Sequence, residues 1–173
     1  MSAIKDLLLP VPGQRYESVP WGWVLGLVLI ELVLAIVLGI IVSVMNVNVG
    51  ASIGVVTAMS GGMMFAIYAE QRSFGVLTKP LKRQLALRSA AVVSILGTSA
   101  TAPAFLGETS GMEPRTTSLI IAGVFAVTFL LNWLVHLVGL SQGQRVVAKQ
   151  RAAVAAREAA LVAGNAVSET KPD

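Results

Sequence analysis

Residues 21–44 read WGWVLGLVLIELVLAIVLGIIVSV, an apolar run whose one charged residue is Glu31. A helix rises about 1.5 Å per residue, so roughly 20 apolar residues cross the hydrocarbon core of a bilayer. No water is present there, and the backbone must satisfy its own polar groups, as a helix does. Residues 21–44 therefore read as a membrane span. Three further spans follow at residues 50–68, 85–106 and 117–140. The second is rich in small residues and Met. The third carries Ser94, Thr98, Ser99 and Thr101, whose hydroxyls can bond back to the helix backbone, and the fourth is dense in Leu, Val and Phe. The expected fold is all-α, an integral membrane bundle of four transmembrane helices.

Composition agrees. Of 173 residues, 55% are hydrophobic and 13% charged, against roughly 25% charged in a soluble domain. One soluble core could not hide that much apolar surface. With no cysteine, disulfide scaffolds, zinc–thiolate sites, iron–sulfur clusters and cysteine nucleophiles are excluded. The single histidine, His136, excludes multi-histidine metal sites. No metal or cofactor is expected.

The net charge is +4, and the positions of the charges decide its meaning. Of 13 Lys and Arg, only Arg115 falls among the short connections 46–49 and 107–116. The others flank the opposite ends of the spans. Lys5 and Arg15 lie in the first segment. Arg72, Lys79, Lys82, Arg83 and Arg88 surround the second connection, and Arg145, Lys149, Arg151, Arg157 and Lys171 lie in the tail. This asymmetry predicts that both termini are cytoplasmic. The basic groups, Arg72, Lys79, Lys82, Arg83 and Arg88 above all, are expected to face anionic headgroups or an acidic partner, with no nucleic acid required.

Residues 1–20 read as a cytoplasmic or interfacial segment. Asp6, Glu17, Pro10 and Pro12 do not suit a cleavable signal. Residues 3–9 suggest a short interfacial turn, and Trp21 and Trp23 an aromatic belt. Thr78 before Lys79-Pro80 suits a helix cap with proline in the first turn. After Ser141-Gln-Gly143, the Ala-rich residues up to 163 predict a separate cytoplasmic helix. Val147, Val154 and Leu161 recur every seven residues, but half of a coiled-coil seam is missing, which favours a helix that is solvated or lies on headgroups. Residues 164–173 are expected to be disordered.

Glu31 lies about 15 Å past Trp21, close to the bilayer centre. A charge there costs at least ~2.5–3.5 kcal/mol unless it faces protein or water. Glu31, Ala35 and Gly39 form one helical stripe of the kind that allows close approach. On the fourth span, Thr128, Asn132 and His136 form a polar stripe. The depths predict that Glu31 meets Asn132, with His136 capping this cluster on the inner side. Such a cluster serves either as glue between helices or as a proton-coupled carboxylate or counter-ion. Packing is expected at Gly61-Gly62 and along Ala90, Ser94, Thr98 and Ala102, with Met59, Met63 and Met64 as gap-fillers. No phosphate loop, paired catalytic carboxylates or Ser/His/Asp arrangement is visible, so no enzyme is expected.

Gly62-x-x-Phe65, Arg72 and Thr78-x-x-x-Lys82-Arg83-x-Leu85-x-x-x-Ser89 resemble an uncharacterised family of small, four-helix bacterial inner-membrane proteins. The resemblance covers the second and third spans. It implies a bacterial inner-membrane location and no activity. An acidic residue is common in that family three positions after the threonine, where this chain has Leu81. The resulting expectation is a non-enzymatic integral membrane protein, an accessory subunit or assembly protein that associates with another membrane protein or with itself. The alternative is a small homo-oligomeric proton-coupled transporter or channel using Glu31.

Overall fold

A computed structural model of the chain describes residues 8–12, 14, 16–45, 52–108, 111 and 113–169. Four helices succeed one another: α1 (Trp21–Met45), α2 (Ser52–Arg72), α3 (Lys79–Glu108) and α4 (Pro114–Glu169). No described residue is in a strand. Three of the helices, α1, α2 and α4, are long and apolar enough to cross a membrane. At 30 residues α3 has the length, but its first turns carry Lys79, Lys82, Arg83 and Arg88 and its second half is diluted by Ser and Thr.

α4 departs most from expectation. It is one helix of 56 residues, with no break at Ser141–Gly143 where a separate tail helix was anticipated. A glycine inside a helix costs only about 1 kcal/mol relative to alanine, and Gly143 is buried against α2. The helix also continues through 164–169, where disorder was expected, as an extension of the Ala-rich helix that precedes it. Residues 170–173 lie outside the described residues. So do 1–7, with most of the anticipated interfacial turn, and 46–51, with the first outer connection.

The apolar core sits at one end of the bundle, around the α2–α3 loop. Trp23, Val24 and Leu27 of α1, Phe65 and Ala66 of α2, Leu81 and Leu85 of α3 and Leu140 of α4 meet there, with Val76 and Leu77 of the loop. Leu81, where the resembling family favours an acid, is thus a core residue. Trp23 is buried, whereas Trp21 is 62% exposed, so the anticipated belt holds only Trp21. Two residues turn a helix by about 200°, which puts the two indoles on opposite faces. Trp23 meets Tyr16 edge-on at 4.6 Å and Phe65 at 6.4 Å.

The α2–α4 crossing is close enough for backbone to meet backbone. A Cβ on Gly139 would collide with the Met59 carbonyl oxygen, and one on Gly143 with the Met63 carbonyl oxygen. Gly62 faces α4 from the other side, its absent Cβ 3.3 Å from the His136 carbonyl oxygen. Gly39 has nothing within 4 Å, so the packing role expected of it falls instead to Gly139 and Gly143. Gly139→Ala should lower stability in detergent by about 1–3 kcal/mol. Gly123→Ala, where a Cβ meets open space, should leave the unfolding midpoint unchanged or slightly raised. Equal midpoints for the two variants would contradict this crossing.

Candidate functional site

At the far edge of the core, each helix contributes one buried polar side chain: Glu31 from α1, Thr57 from α2, Ser94 from α3 and His136 from α4. Beyond this layer, away from the α2–α3 loop, no described residue is buried on any helix. The layer therefore marks where the bundle stops packing upon itself.

Glu31 Oε1 and His136 Nε2 meet inside it, with both side chains almost wholly buried. The other imidazole nitrogen, Nδ1, faces the Asn132 backbone carbonyl one turn back. A carbonyl only accepts, so Nδ1 carries a hydrogen and donates it. Nε2 and Oε1 then have a single proton to share. Carboxylate with imidazolium, or carboxylic acid with neutral imidazole, gives the pair the same net charge of zero. Burial is tolerable in either form, whereas an unpartnered charge at this place would not be.

Glycine makes the room. A Cβ on Gly61 would overlap the Glu31 Cγ, so the carboxylate rests directly on the α2 backbone. The expected meeting of Glu31 with Asn132 is therefore corrected: the partner is His136. Asn132 turns to α3, where its Nδ2 donates to Ser94 Oγ at 3.2 Å. Ser94 thus joins the layer through a polar bond as well as by packing. Thr128, one turn beyond Asn132, is half-buried and makes no hydrogen bond among the described residues, and Thr98 is half-buried beyond Ser94. The bundle has ceased to pack at those turns.

A groove of about 210 Å³ opens beside the layer. Val28, Leu32 and Ala35 of α1 form one wall, and Val93, Leu96 and Gly97 of α3 the other. Glu31 and Thr57 are its polar residues, and the Thr57 hydroxyl is already donated to the Gly54 carbonyl at 3.0 Å.

A second polar centre, at Glu70, was not anticipated from the sequence. This carboxylate is 2% exposed and accepts from Gly75 N at 2.6 Å, Leu77 N at 3.3 Å and Gln144 Nε2 at 2.6 Å. Gln144 also donates to the Leu77 carbonyl at 2.8 Å, and Arg151 to the Glu70 carbonyl at 3.2 Å while covering the Phe74 ring. Gly75 takes φ +76°, the left-handed conformation that turns the loop back over the carboxylate. A signal was present: a glutamate in the last turn of a helix opposes the macrodipole, so donors must compensate it.

The basic set divides. Lys79 and Arg83 are exposed, and Arg72 and Lys82 half-buried. Partial burial draws the Lys82 amine below the ordinary lysine range, against the opposing pull of Glu70. Arg88, expected to face lipid or a partner, instead bonds the Val19 carbonyl and lies over Trp21 at 5.4 Å. With Gln84 accepting from Val19 N at 3.2 Å, it fastens the entry to α1 onto α3.

No group of three or more His, Asp or Glu side chains suited to a metal ion occurs among the described residues. No family model, curated protein or solved structure matches the chain.

The Glu31–His136 bond predicts strong coupling. His136→Leu leaves a buried carboxylate without its partner and should cost roughly 3–5 kcal/mol. Glu31→Leu combined with His136→Leu should cost clearly less than the sum of the single changes, with a coupling of about 1–3 kcal/mol. Additive losses in steric-trap or denaturant unfolding would rule the bond out.

Proposed function

We propose that the chain is a non-enzymatic integral protein of a bacterial inner membrane, working as an accessory or assembly subunit of a membrane complex. It crosses the membrane four times, α3 included, with both termini in the cytoplasm. Lys and Arg at the loop end and in the tail support this orientation, and the resemblance of the second and third spans supports the location. In α3, two of the hydroxyls that dilute its hydropathy bond back along the helix. Ser89 Oγ donates to the Leu85 carbonyl at 2.8 Å and Thr101 Oγ1 to the Gly97 carbonyl at 3.0 Å, which reduces the cost of placing them in lipid.

The observation that carries the reading is the tail of α4. Residues 148–162 are exposed without exception, although Val154 and Leu161 are apolar. Past Arg151, which reaches back to Glu70 and Phe74, the helix packs on nothing of its own chain among the described residues and so offers itself to another protein. Lys79 and Arg83 add an exposed basic edge for anionic headgroups or an acidic partner face.

Native mass spectrometry of the tagged chain, extracted at native expression in nanodiscs, tests the reading. A different protein in fixed stoichiometry is expected, and removal of residues 152–173 should release it while the bundle still unfolds at its usual midpoint. A homo-oligomer without other protein would refute the accessory role.

A second reading, a small homo-oligomeric proton-coupled transporter or channel using Glu31, is favoured by one observation: Glu31 touches His136 and also lines an open groove. On that reading, proteoliposomes should show proton flux that Glu31→Gln abolishes. Flux equal to that of empty vesicles would exclude it.

A further inference from the structure

We propose that the groove between α1, α2 and α3 binds a small alkylammonium cation against Glu31, in exchange for the one proton that Glu31 shares with His136. The inference goes beyond both readings of function, because it concerns binding at equilibrium and assumes no translocation.

Charge is the first ground. The His136 Nδ1 hydrogen is committed to the Asn132 carbonyl, and Nε2 meets Oε1, so a proton held between these two atoms is the one left to exchange. His136 is the titratable group that faces Glu31. At this depth α2 contributes Thr57 and Gly61 and α3 contributes Ser94, none of them titratable. The site holds either the proton or one monovalent cation at zero net charge. Holding both would leave a buried positive charge with nothing to offset it.

The walls determine the class of cation. Apart from Glu31 and Thr57, the groove presents aliphatic side chains and a glycine. An inorganic cation stripped of water needs about six oxygens. It would find one carboxylate and a hydroxyl whose hydrogen is already given to Gly54. An alkylammonium ion carries its own apolar shell and asks only for a counter-charge. The volume of about 210 Å³ is roughly seven times the share of one liquid water, ~30 Å³, which suits short alkyl chains.

The exchange balances. The cation enters the groove as the shared proton leaves the Oε1–Nε2 bond for water. An ionised Glu31 then faces the cation, and His136 stays neutral with Nδ1 still bonded to Asn132. One positive charge enters and one leaves, with no redox change.

Tetraethylammonium is the probe. Binding to the full-length protein in nanodiscs is followed by equilibrium dialysis, and proton release in weakly buffered solution. Saturable binding is expected, with one proton released per cation, and an apparent Kd that rises roughly tenfold per pH unit as pH falls while the pair holds its proton. Glu31→Gln keeps the shape and removes the charge, and should weaken binding at least tenfold. Gly97→Leu adds bulk at the groove wall, where a Cβ meets nothing within 4 Å, and should also abolish binding while the unfolding midpoint is unchanged. If Glu31→Gln does not fold, the proton count and Gly97→Leu decide. Binding without proton release would overturn the proposal, as would binding indifferent to Gly97→Leu. So would a folded wild-type protein that binds no cation, or a groove filled by a co-purifying lipid that tetraethylammonium does not displace. None of these outcomes bears on whether the chain has a partner protein.

Discussion

Burying a carboxylate and an imidazole side by side constrains the bundle more tightly than any apolar contact in it. Glu31 and His136 are tolerable away from water only while they touch, since either alone would be an uncompensated polar group. Touching requires α1 and α4 to reach each other across α2. That in turn requires α2 to present no side chain there, and Gly61 lies directly beneath Glu31. Gly62 and Gly139 bring the α2 and α4 backbones together at the same level. Pair and glycines form one device: the polar bond needs the close crossing, and the crossing places the imidazole.

Position along the helices follows from the same physics. Between helices in lipid there is no hydrophobic drive, so packing and polar bonds decide where they associate. On the loop side of the polar layer the chain supplies both, with Trp23 against Phe65, glycines at the crossing, and Glu70 binding loop and tail. On the other side α1 and α4 offer mainly Leu, Ile and Val, which lipid tails solvate equally well, and no described residue is buried there. The groove lies at this boundary, which is why its wall is aliphatic yet contains a carboxylate.

Much of the fold was legible in periodicity and length, because a long apolar run has few ways to be satisfied. The helices begin within a few residues of where hydropathy and capping put them, α4 alone running far past its expected end, and Thr78 takes the N-cap position, its carbonyl accepting from Lys82 N at 2.9 Å. The polar stripe on α4 was legible as a set, but its pairing was not. Depth alone does not fix rotation, and Asn132 and His136 are one turn apart on similar faces. The crossing with α2 decides between them, and Gly139 and Gly143 looked like the end of a helix, not its contact surface. Glu70 was hidden for a different reason. Its partners are backbone amides of a loop and a glutamine some seventy residues later, and no local spacing marks such a set.

α4 joins the two polar centres mechanically. His136 at the layer and Gln144 at the Glu70 centre lie on one unbroken helix, roughly 12 Å apart along its axis. Between them Gly139 meets the α2 backbone, and one turn further from the layer Gly143 does so again. A helix held this closely has little freedom to bend there, so rotation or sliding that parts His136 from Glu31 must also move Gln144 and the arginine at 151. The exposed helix beyond them moves with the same rod.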